Sequence, residues 1–397
     1  MLNNQHIDII KSTIPLLESA GPELTVYFYQ RMFSHNPELK DIFNMTHQAT
    51  GRQSVALFEA IAAYAKNIDN LAALTTAVER IAHKHTSFNI QPEHYQIVGH
   101  HLIETLRELA PDAFTQEVEE AWTAAYLFLA KVFIDREAEL YLQRKQAIGG
   151  WQNARQFKLV EKKTESSLVT SFTFEAADGG SVLDYSPGQY IGIELTPQGC
   201  EYKEVRQYSL SQAPNGNSYR ISVKREGVDT EHKGLVSNFL HDFVNEGDTV
   251  ELYAPAGDFF YTERNKPVTL ISAGVGVTPM QSMLEHLNKQ GKSEAVHYLH
   301  ACEDEEQHSF SERVSSITQS NGWSAKTWYN NPKLPNADSA TGLMNLAEFS
   351  ADERFKENDF YICGPVGFMK NIVEQLDNLN ISREQVHYEV FGPHANF

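Results

Sequence analysis

The triplet Gly149-Gly150-Trp151 separates two parts of a 397-residue chain that follow different periodicities. Ahead of it, apolar residues recur at helical spacing. The pattern breaks at Gly21-Pro22, Asn36-Pro37, Gln91-Pro92 and Pro111-Asp112, dipeptides that end helices or turn the chain. No strand-like alternation interrupts these segments, so residues 1–148 read as an all-α domain. Behind the triplet come short β-type runs, Phe157 to Val160, Leu168 to Phe174 and Tyr219 to Val223. Turn signals at Asp178-Gly179-Gly180 and Pro214-Asn215-Gly216-Asn217 separate them, which predicts a small antiparallel barrel over residues 149–264. From Pro267 onward strands alternate with helices: Val268 to Ala273, Pro279 to Lys289, Val296 to His300, Phe360 to Cys363, and Phe368 to Leu379. That alternation predicts a parallel α/β unit over residues 265–397. A chain of this length exceeds what one core usually organises, so the fold class is multidomain, α followed by β and α/β.

Composition narrows the function classes. A formal net charge of −19 leaves no basic excess to neutralise phosphates, which excludes a nucleic-acid partner and an anionic membrane surface. No long apolar run is available for a membrane span. Met1-Leu2-Asn3-Asn4-Gln5-His6 lacks the basic and apolar regions of a secretory leader. Cys200, Cys302 and Cys363 are too few and too scattered for a disulfide framework or a zinc site. A cytoplasmic location is the expectation, with no obligatory protein partner and a monomeric state.

Several polar residues of the helical part stand where apolar ones belong. Leu71, Leu74, Val78 and Ile81 form one stripe, and the next position on it is His85, while His83 and Lys84 turn away. Tyr29 lies on the stripe of Val26 and Phe33, and Gln53 heads that of Leu57, Ile61 and Tyr64. Tyr95 follows Pro92 at a helix start and precedes Val98 and Leu102. Glu137 falls four residues after Phe133, on the stripe of Tyr126 and Leu129. Each alone is more often a core residue with a local partner than a ligand. Together they describe a polar site inside a helical domain, because a carboxylate aimed at a core is costly unless paired, and a haem between helices accounts for it.

The second part carries its own constellation. Arg206-Gln207-Tyr208-Ser209 follows a predicted strand, and Pro187-Gly188-Gln189-Tyr190 precedes it. Gly234-Leu235-Val236-Ser237 opens a helix. Ile271-Ser272-Ala273-Gly274-Val275-Gly276-Val277-Thr278-Pro279-Met280 ends a strand and starts a helix; Gly274 and Gly276 would let the backbone approach a dinucleotide phosphate at a helix N-terminus. Cys363-Gly364-Pro365-Val366-Gly367-Phe368-Met369 supplies a partner motif after a later strand, and Glu389-Val390-Phe391-Gly392-Pro393-His394 closes the chain. The acidic run His300-Ala301-Cys302-Glu303-Asp304-Glu305-Glu306 would repel the 2′-phosphate of NADPH, which favours NADH as donor while NADPH stays admissible.

The order Tyr29, Gln53, Leu57, His85, with Phe43 placed to pack on a haem edge, resembles the bacterial globin pattern. The strings Asn44-Met45, Lys84-His85-Thr86-Ser87-Phe88 and Arg136-Glu137-Ala138-Glu139, with the motifs above, extend the match over the whole chain to the flavohaemoglobin family. The resemblance implies a globin domain, an FAD-binding barrel and an NAD-binding α/β domain of ferredoxin-reductase type, holding haem b iron, FAD and NAD(P)H. It implies that His85 ligates the iron, that Glu137 and Tyr95 hydrogen-bond its far side, and that Tyr29 and Gln53 line the distal face. A carboxylate accepting the imidazole N–H makes the ligand more electron-donating.

It further implies that Arg206 meets the FAD pyrophosphate, that Tyr208 packs on the flavin, and that Ser209, with Gln207 in the same motif, lies near its redox atom. Tyr190, Gly234 and Ser237 contact the same cofactor. Phe391 and Gly392 cover the other flavin face. Residues Ile271 to Gly276, Thr278, Cys363, Gly364 and Pro365 hold the nicotinamide nucleotide. The implied activity is nitric oxide dioxygenation, in which NO and O2 become nitrate with electrons from NAD(P)H, and a slower reduction of NO at low oxygen. A globin that only stores oxygen has no use for an attached reductase. The competing readings are an oxygen- or NO-binding sensor with a maintenance reductase, and a general NADH oxidase.

Overall fold

The computed structural model describes residues 2–43, 51–227, 233–334 and 339–392. The strings Asn44-Met45 and Pro393-His394 lie outside the described residues. The chain divides into two compact units: Met1–Ala147 with Trp151–Ala154 and Glu194–Arg206, and Ile148–Gly150, Arg155–Ile193 and Gln207–Phe397. No helix among the described residues is long and apolar enough to cross a membrane.

Within the first unit Met1–Ala147 is helical, with α1 (Asn4–Ser12), α2 (Ile14–Ala20), α3 (Glu23–His35), α4 (Arg52–Lys66), α5 (Thr75–Thr86), α6 (Pro92–Leu109) and α7 (Gln116–Gln146). Helices end or start at the four dipeptides that the sequence singles out, and further breaks fall at Thr13 and at residues 67–70. Pro92 occupies the first turn of α6, where its missing N–H costs nothing. Thr115 caps α7 by accepting from Val118 N. One core gathers Ile10, Leu17, Leu24, Tyr64, Ile68 and Trp122, and a second gathers Phe28, Tyr29, Met32, Phe33, Leu39 and Leu102.

Two expectations need correction. The stripe from Leu71 to His85 is not one helix: Leu71–Leu74 form a 3-10 turn, and α5 starts at Thr75. The tighter turn rotates the chain, so Leu71 and Leu74 pack on the first core while Val78 and Ile81 pack beside Phe133 and Leu140. Val26 is 38% exposed, whereas Thr25, Phe28, Tyr29, Met32 and Phe33 are buried. The buried face of α3 is therefore centred near Thr25 and Met32, about 100° from Val26, which lies at its edge.

The antiparallel sheet comprises β1 (Arg155–Thr164), β2 (Val169–Ala176), β3 (Tyr190–Leu195), β4 (Glu204–Ser209), β5 (Ser218–Lys224) and β6 (Thr249–Leu252), in the order β4-β3-β6-β1-β2-β5. A bridge between Leu210 and Ile221 joins the two edges, so the sheet curls toward the expected barrel. Helix α8 (Leu235–Phe243) lies between β5 and β6 in sequence. Lys162 Nζ donates to His241 O (2.8 Å) and Val244 O (2.7 Å) at its C-terminal end. A cation there satisfies carbonyls that the helix cannot.

The parallel sheet has β7 (Val268–Ala273), β8 (Val296–Cys302), β9 (Ser324–Tyr329), β10 (Ser339–Thr341), β11 (Asp359–Cys363) and β12 (Val386–Glu389), in the order β10-β9-β8-β7-β11-β12. Every residue of β7 and β11 is buried, as expected for strands covered on both faces. Helices α9 (Val277–Gln290) and α10 (Ser311–Asn321) cover Leu270, Tyr298 and Tyr361. Helix α11 (Val366–Asn378) covers Ile271, Leu299, Phe360 and Ile362 on the opposite face. The chain runs outward from β7 and then returns to β11 on the other side of it. That reversal is a topological switch point, where open α/β sheets bind ligands.

Candidate functional site

In the helical unit three predicted residues meet. His85 comes from the last turn of α5, Tyr95 from the first turn of α6 and Glu137 from α7. His85 Nδ1 lies 2.8 Å from Glu137 Oε1 and 2.8 Å from the Tyr95 hydroxyl. The Tyr95 hydroxyl donates to the same Glu137 oxygen at 2.5 Å. An ionised carboxylate only accepts, so the imidazole proton sits on Nδ1 and the Nε2 lone pair is left for another partner. Glu137 is 3% exposed, and its two donors make that burial tolerable. Burial, and then the Glu137 charge, push the Tyr95 phenol far above its ordinary range, so it remains a donor.

Sequence reasoning missed what fixes Tyr95. The Tyr126 hydroxyl donates to the Tyr95 carbonyl at 2.5 Å, and a Cβ on Gly99 would stand 2.3 Å from the Tyr126 ring. Gly99 is needed there for close approach, and a glycine inside an amphipathic helix was the signal available.

Tyr29 and Gln53 belong to the other side of the domain. The Tyr29 ring packs against Phe28, Phe33 and Phe43 at centroid distances of 5.1, 5.8 and 5.8 Å, with Leu57 and Val98 in the same cluster. Thr25 Oγ1 donates to Ser54 O (2.7 Å), tying α3 to α4 next to Gln53. Gln53 Oε1 is buried without a hydrogen-bond partner among the described residues. An orphaned amide oxygen, an imidazole with a free lone pair and apolar residues from three helices are a donor set that suits a haem.

A buried histidine elsewhere sets an acid limit on this domain. His101 is 2% exposed. Its Nδ1 accepts from Arg31 Nη1 (2.5 Å), and its Nε2–H donates to Asn36 Oδ1 (2.9 Å). Burial and then the Arg31 charge lower its pKa to about 4. The unfolded chain binds this proton near the ordinary histidine pKa, so the stability is complete above that value and is lost as pH falls toward 4. Urea unfolding followed at pH 7, 5.5 and 4.5 should show a loss of about 1.4 kcal/mol per unit across this window. His101→Gln should remove that slope, and an equal slope in the variant would refute the assignment.

In the antiparallel sheet the flavin-type motif lies on β4, with Ser209 buried. The Arg206 guanidinium is paired with Glu204 at 2.7 Å. Tyr190 heads β3, and its ring lies where a Cβ on Gly257 (φ +116°) would come within 2.9 Å of it. Gly234 caps α8; a Cβ there would meet Ser237 Oγ at 2.6 Å. This bare helix start suits an anionic phosphate. Phe391 is 45% exposed, and Gly392 has φ +131°.

The two glycine-rich motifs leave the adjacent strands β7 and β11, with Ser272 paired to Cys363. Their glycines divide the work differently from expectation. Gly274 has φ +52° with open space around it, so it serves the turn. Gly276 has an ordinary φ, but a Cβ on it would stand 2.3 Å from Cys363 O and 2.7 Å from Gly364 N. It admits the second motif, not only a ligand. Thr278 Oγ1 donates to Val275 O (3.0 Å). Ile271, Ser272 and Cys363 are fully buried, so their side chains pack inside the domain beneath the switch point. Burial raises the Cys363 thiol well above its usual range. Beneath the motif Ser272 Oγ meets His300 Nδ1 at 2.9 Å, and His300 stacks on His308 at 5.1 Å. The sequence signal was a polar residue within an apolar strand.

The acidic run is tied to residues 330–334, although Glu303 and Glu306 are exposed. Asp304 and Glu306 pair with Lys333 at 3.1 and 2.7 Å. Glu305 accepts from Lys333 N and Leu334 N, and Glu303 from Asn330 and Asn331. The one lysine of this loop pair is thus neutralised before any phosphate arrives.

Comparison with known proteins agrees with this geometry. A family model for globins matches residues 26–133, the oxidoreductase FAD-binding domain matches residues 156–261, and the oxidoreductase NAD-binding domain matches residues 270–374. The chain is 66% identical over 395 residues to a flavohemoprotein of Vibrio cholerae serotype O1, covering 100% of this chain and 99% of that one. The chain belongs to the flavohaemoprotein family. A crystal structure of a flavohaemoglobin from Malassezia yamatoensis, with bound FAD and haem, superposes with a TM-score of 0.86 over 98% of this chain and 100% of that one, at 26% identity. The FAD/NAD-binding domain of a nitric oxide dioxygenase from Vibrio cholerae O1 biovar El Tor is 53% identical, covers 61% of this chain and 100% of that one, and gives a TM-score of 0.58. As a flavohaemoprotein the chain is an oxidoreductase with globin, FAD-binding and NAD-binding domains.

Proposed function

We propose that this flavohaemoprotein is a nitric oxide dioxygenase that converts NO and O2 to nitrate with electrons from NADH, and so removes NO. The observation that carries the reading is the hydrogen-bonded set His85, Glu137 and Tyr95. His85 Nε2 would hold the iron, and Glu137, accepting from Nδ1, would make the imidazole a stronger electron donor. Oxygen storage has no need of that push. When bound, haem supplies the iron for oxygen chemistry, and FAD couples two-electron to one-electron transfer.

The residues of the chain do the rest. Tyr29 and Gln53 offer a hydroxyl and an amide to a distal ligand. Arg206 exchanges Glu204 for the FAD pyrophosphate, with Gly234 and Ser237 at the α8 terminus. Tyr190, Gln207, Tyr208, Ser209, Phe391 and Gly392 enclose the flavin ring. Residues Ile271 to Gly276, Thr278, Cys363, Gly364 and Pro365 receive the nicotinamide nucleotide, and the acidic run favours NADH over NADPH. The domain limits that serve this scheme are 1–148, 149–264 and 265–397. Three free thiols and a net charge of −19 support a cytoplasmic enzyme, which we take to be monomeric. A slower NO reduction at low oxygen belongs to the same proposal.

An NO electrode with NADH and air present tests the reading. Rapid NADH-dependent loss with matching nitrate is expected. Loss that stops after about one equivalent per haem would replace it with a sensor globin served by a maintenance reductase.

A further inference from the structure

Glu285 on α9 gathers four donors onto one carboxylate. Oε1 accepts from Arg220 Nη2 (2.9 Å), Arg313 Nη1 (2.9 Å) and Gln281 Nε2 (3.0 Å), and Oε2 accepts from Ala213 N (3.1 Å). Burial pushes its pKa up, but Arg220, Gln281 and Arg313 outweigh that and hold it below the usual value. Two of these donors come from the barrel. Arg220 lies on β5 and donates through Nε to Ser211 Oγ (3.1 Å). Ala213 follows the continuation of β4 past Ser209.

The contact is a seam rather than a point. Ser282 Oγ donates to Gln212 O (2.6 Å), and Lys289 Nζ donates to Pro214 O (2.8 Å). Ser282, Glu285 and Lys289 stand at i, i+3 and i+7, on one helical face. The segment that follows the flavin motif is therefore bonded along the helix that begins with the nicotinamide motif.

We propose that Glu285 is a positioning residue for hydride transfer, holding the strand that presents the flavin in fixed register with the helix that presents the nicotinamide. The inference rests on the reading that NADH reduces bound FAD in this chain. A hydride leaves the dihydronicotinamide carbon with both electrons, oxidising it, and reduces the flavin by two electrons. The rate of that transfer falls steeply with distance, and a shift of about 1 Å costs on the order of a hundredfold. A neutral amide oxygen holds two guanidinium groups more weakly than a carboxylate does, and its NH2 would face the Ala213 N–H, so Glu285→Gln loosens the seam without removing a nucleotide contact.

The experiment uses the full chain with haem and FAD bound. Flavin reduction is followed by stopped flow with NADH and with NADH deuterated at the transferred position. The charge-transfer absorbance of the dithionite-reduced enzyme with NAD+ is measured separately. For E285Q we expect reduction slowed about tenfold, a larger isotope effect and a weaker charge-transfer band, with NAD+ affinity held within about threefold. Wild-type rate and band in FAD-loaded E285Q would overturn the proposal, even if FAD content or thermal stability fell. Should E285Q not retain FAD, Ser282→Ala removes a second tie on the same face. A loss of about threefold in rate with a weaker band supports the proposal, and wild-type values overturn it. A wild-type flavin that NADH does not reduce would instead defeat the proposed function.

Discussion

Replacing His85 by alanine is expected to abolish haem retention and NO consumption while leaving NADH-dependent reduction of ferricyanide intact. The two nitrogens of this imidazole face different tasks: Nδ1 is bound by Glu137 and Tyr95, and Nε2 remains for iron. Alanine removes the ligand and also deprives a carboxylate that is 3% exposed of one of its two donors. Losing that charge-assisted hydrogen bond should cost the helical domain about 1.5–3 kcal/mol. Absorbance in the Soret region reports the haem, and urea unfolding reports the stability loss. The flavin and nicotinamide motifs lie on other elements, so their chemistry should persist. NO removal that continued in a haem-free variant would end the dioxygenase mechanism.

The converse separation should come from Gly276→Ala. The added Cβ would stand 2.3 Å from Cys363 O, 2.5 Å from Cys363 C and 2.7 Å from Gly364 N. All three atoms are backbone of the partner motif, so no side chain can swing away to relieve the clash. Either β11 or the start of α9 must move, at a cost of about 1–3 kcal/mol. That displacement falls where the nicotinamide would sit. We expect kcat/KM for NADH to fall by about tenfold to a hundredfold, the haem spectrum to stay unchanged, and chemical reduction of the haem to proceed normally. Gly274→Ala is the comparison: its φ of +52° strains any side chain, but nothing lies within 4 Å of the new atom. It should cost about 1 kcal/mol in the turn and much less in NADH use. Equal losses in the two variants would show that clash with Cys363 is not the cause.

The sequence by itself determined the order of the three architectures and the residue types of the site. Helical spacing, turn dipeptides and strand alternation are local properties, and each corresponds to an observed element: the break at Gln91-Pro92, the runs in β1, β2 and β5, and the alternation from β7 to α11. The polar residues on apolar stripes were legible for the same reason, since a buried carboxylate such as Glu137 stands out against Phe133 and Leu140.

Partnership was not legible. Tertiary packing brought His85, Tyr95 and Glu137 from three helices onto one carboxylate oxygen, and placed the strand after a long excursion through β8, β9 and β10 beside β7. It turned Gly276 into a packing residue, spent the acidic run on the 330–334 loop, and used Glu285, unremarkable on its own helix, to tie α9 to Arg220 and Ala213. Spacing along a chain fixes which face a residue occupies, because helix and strand geometry repeat over a few residues. Which faces then meet depends on contacts between residues far apart in sequence, where shape and the pairing of buried polar groups choose the partner.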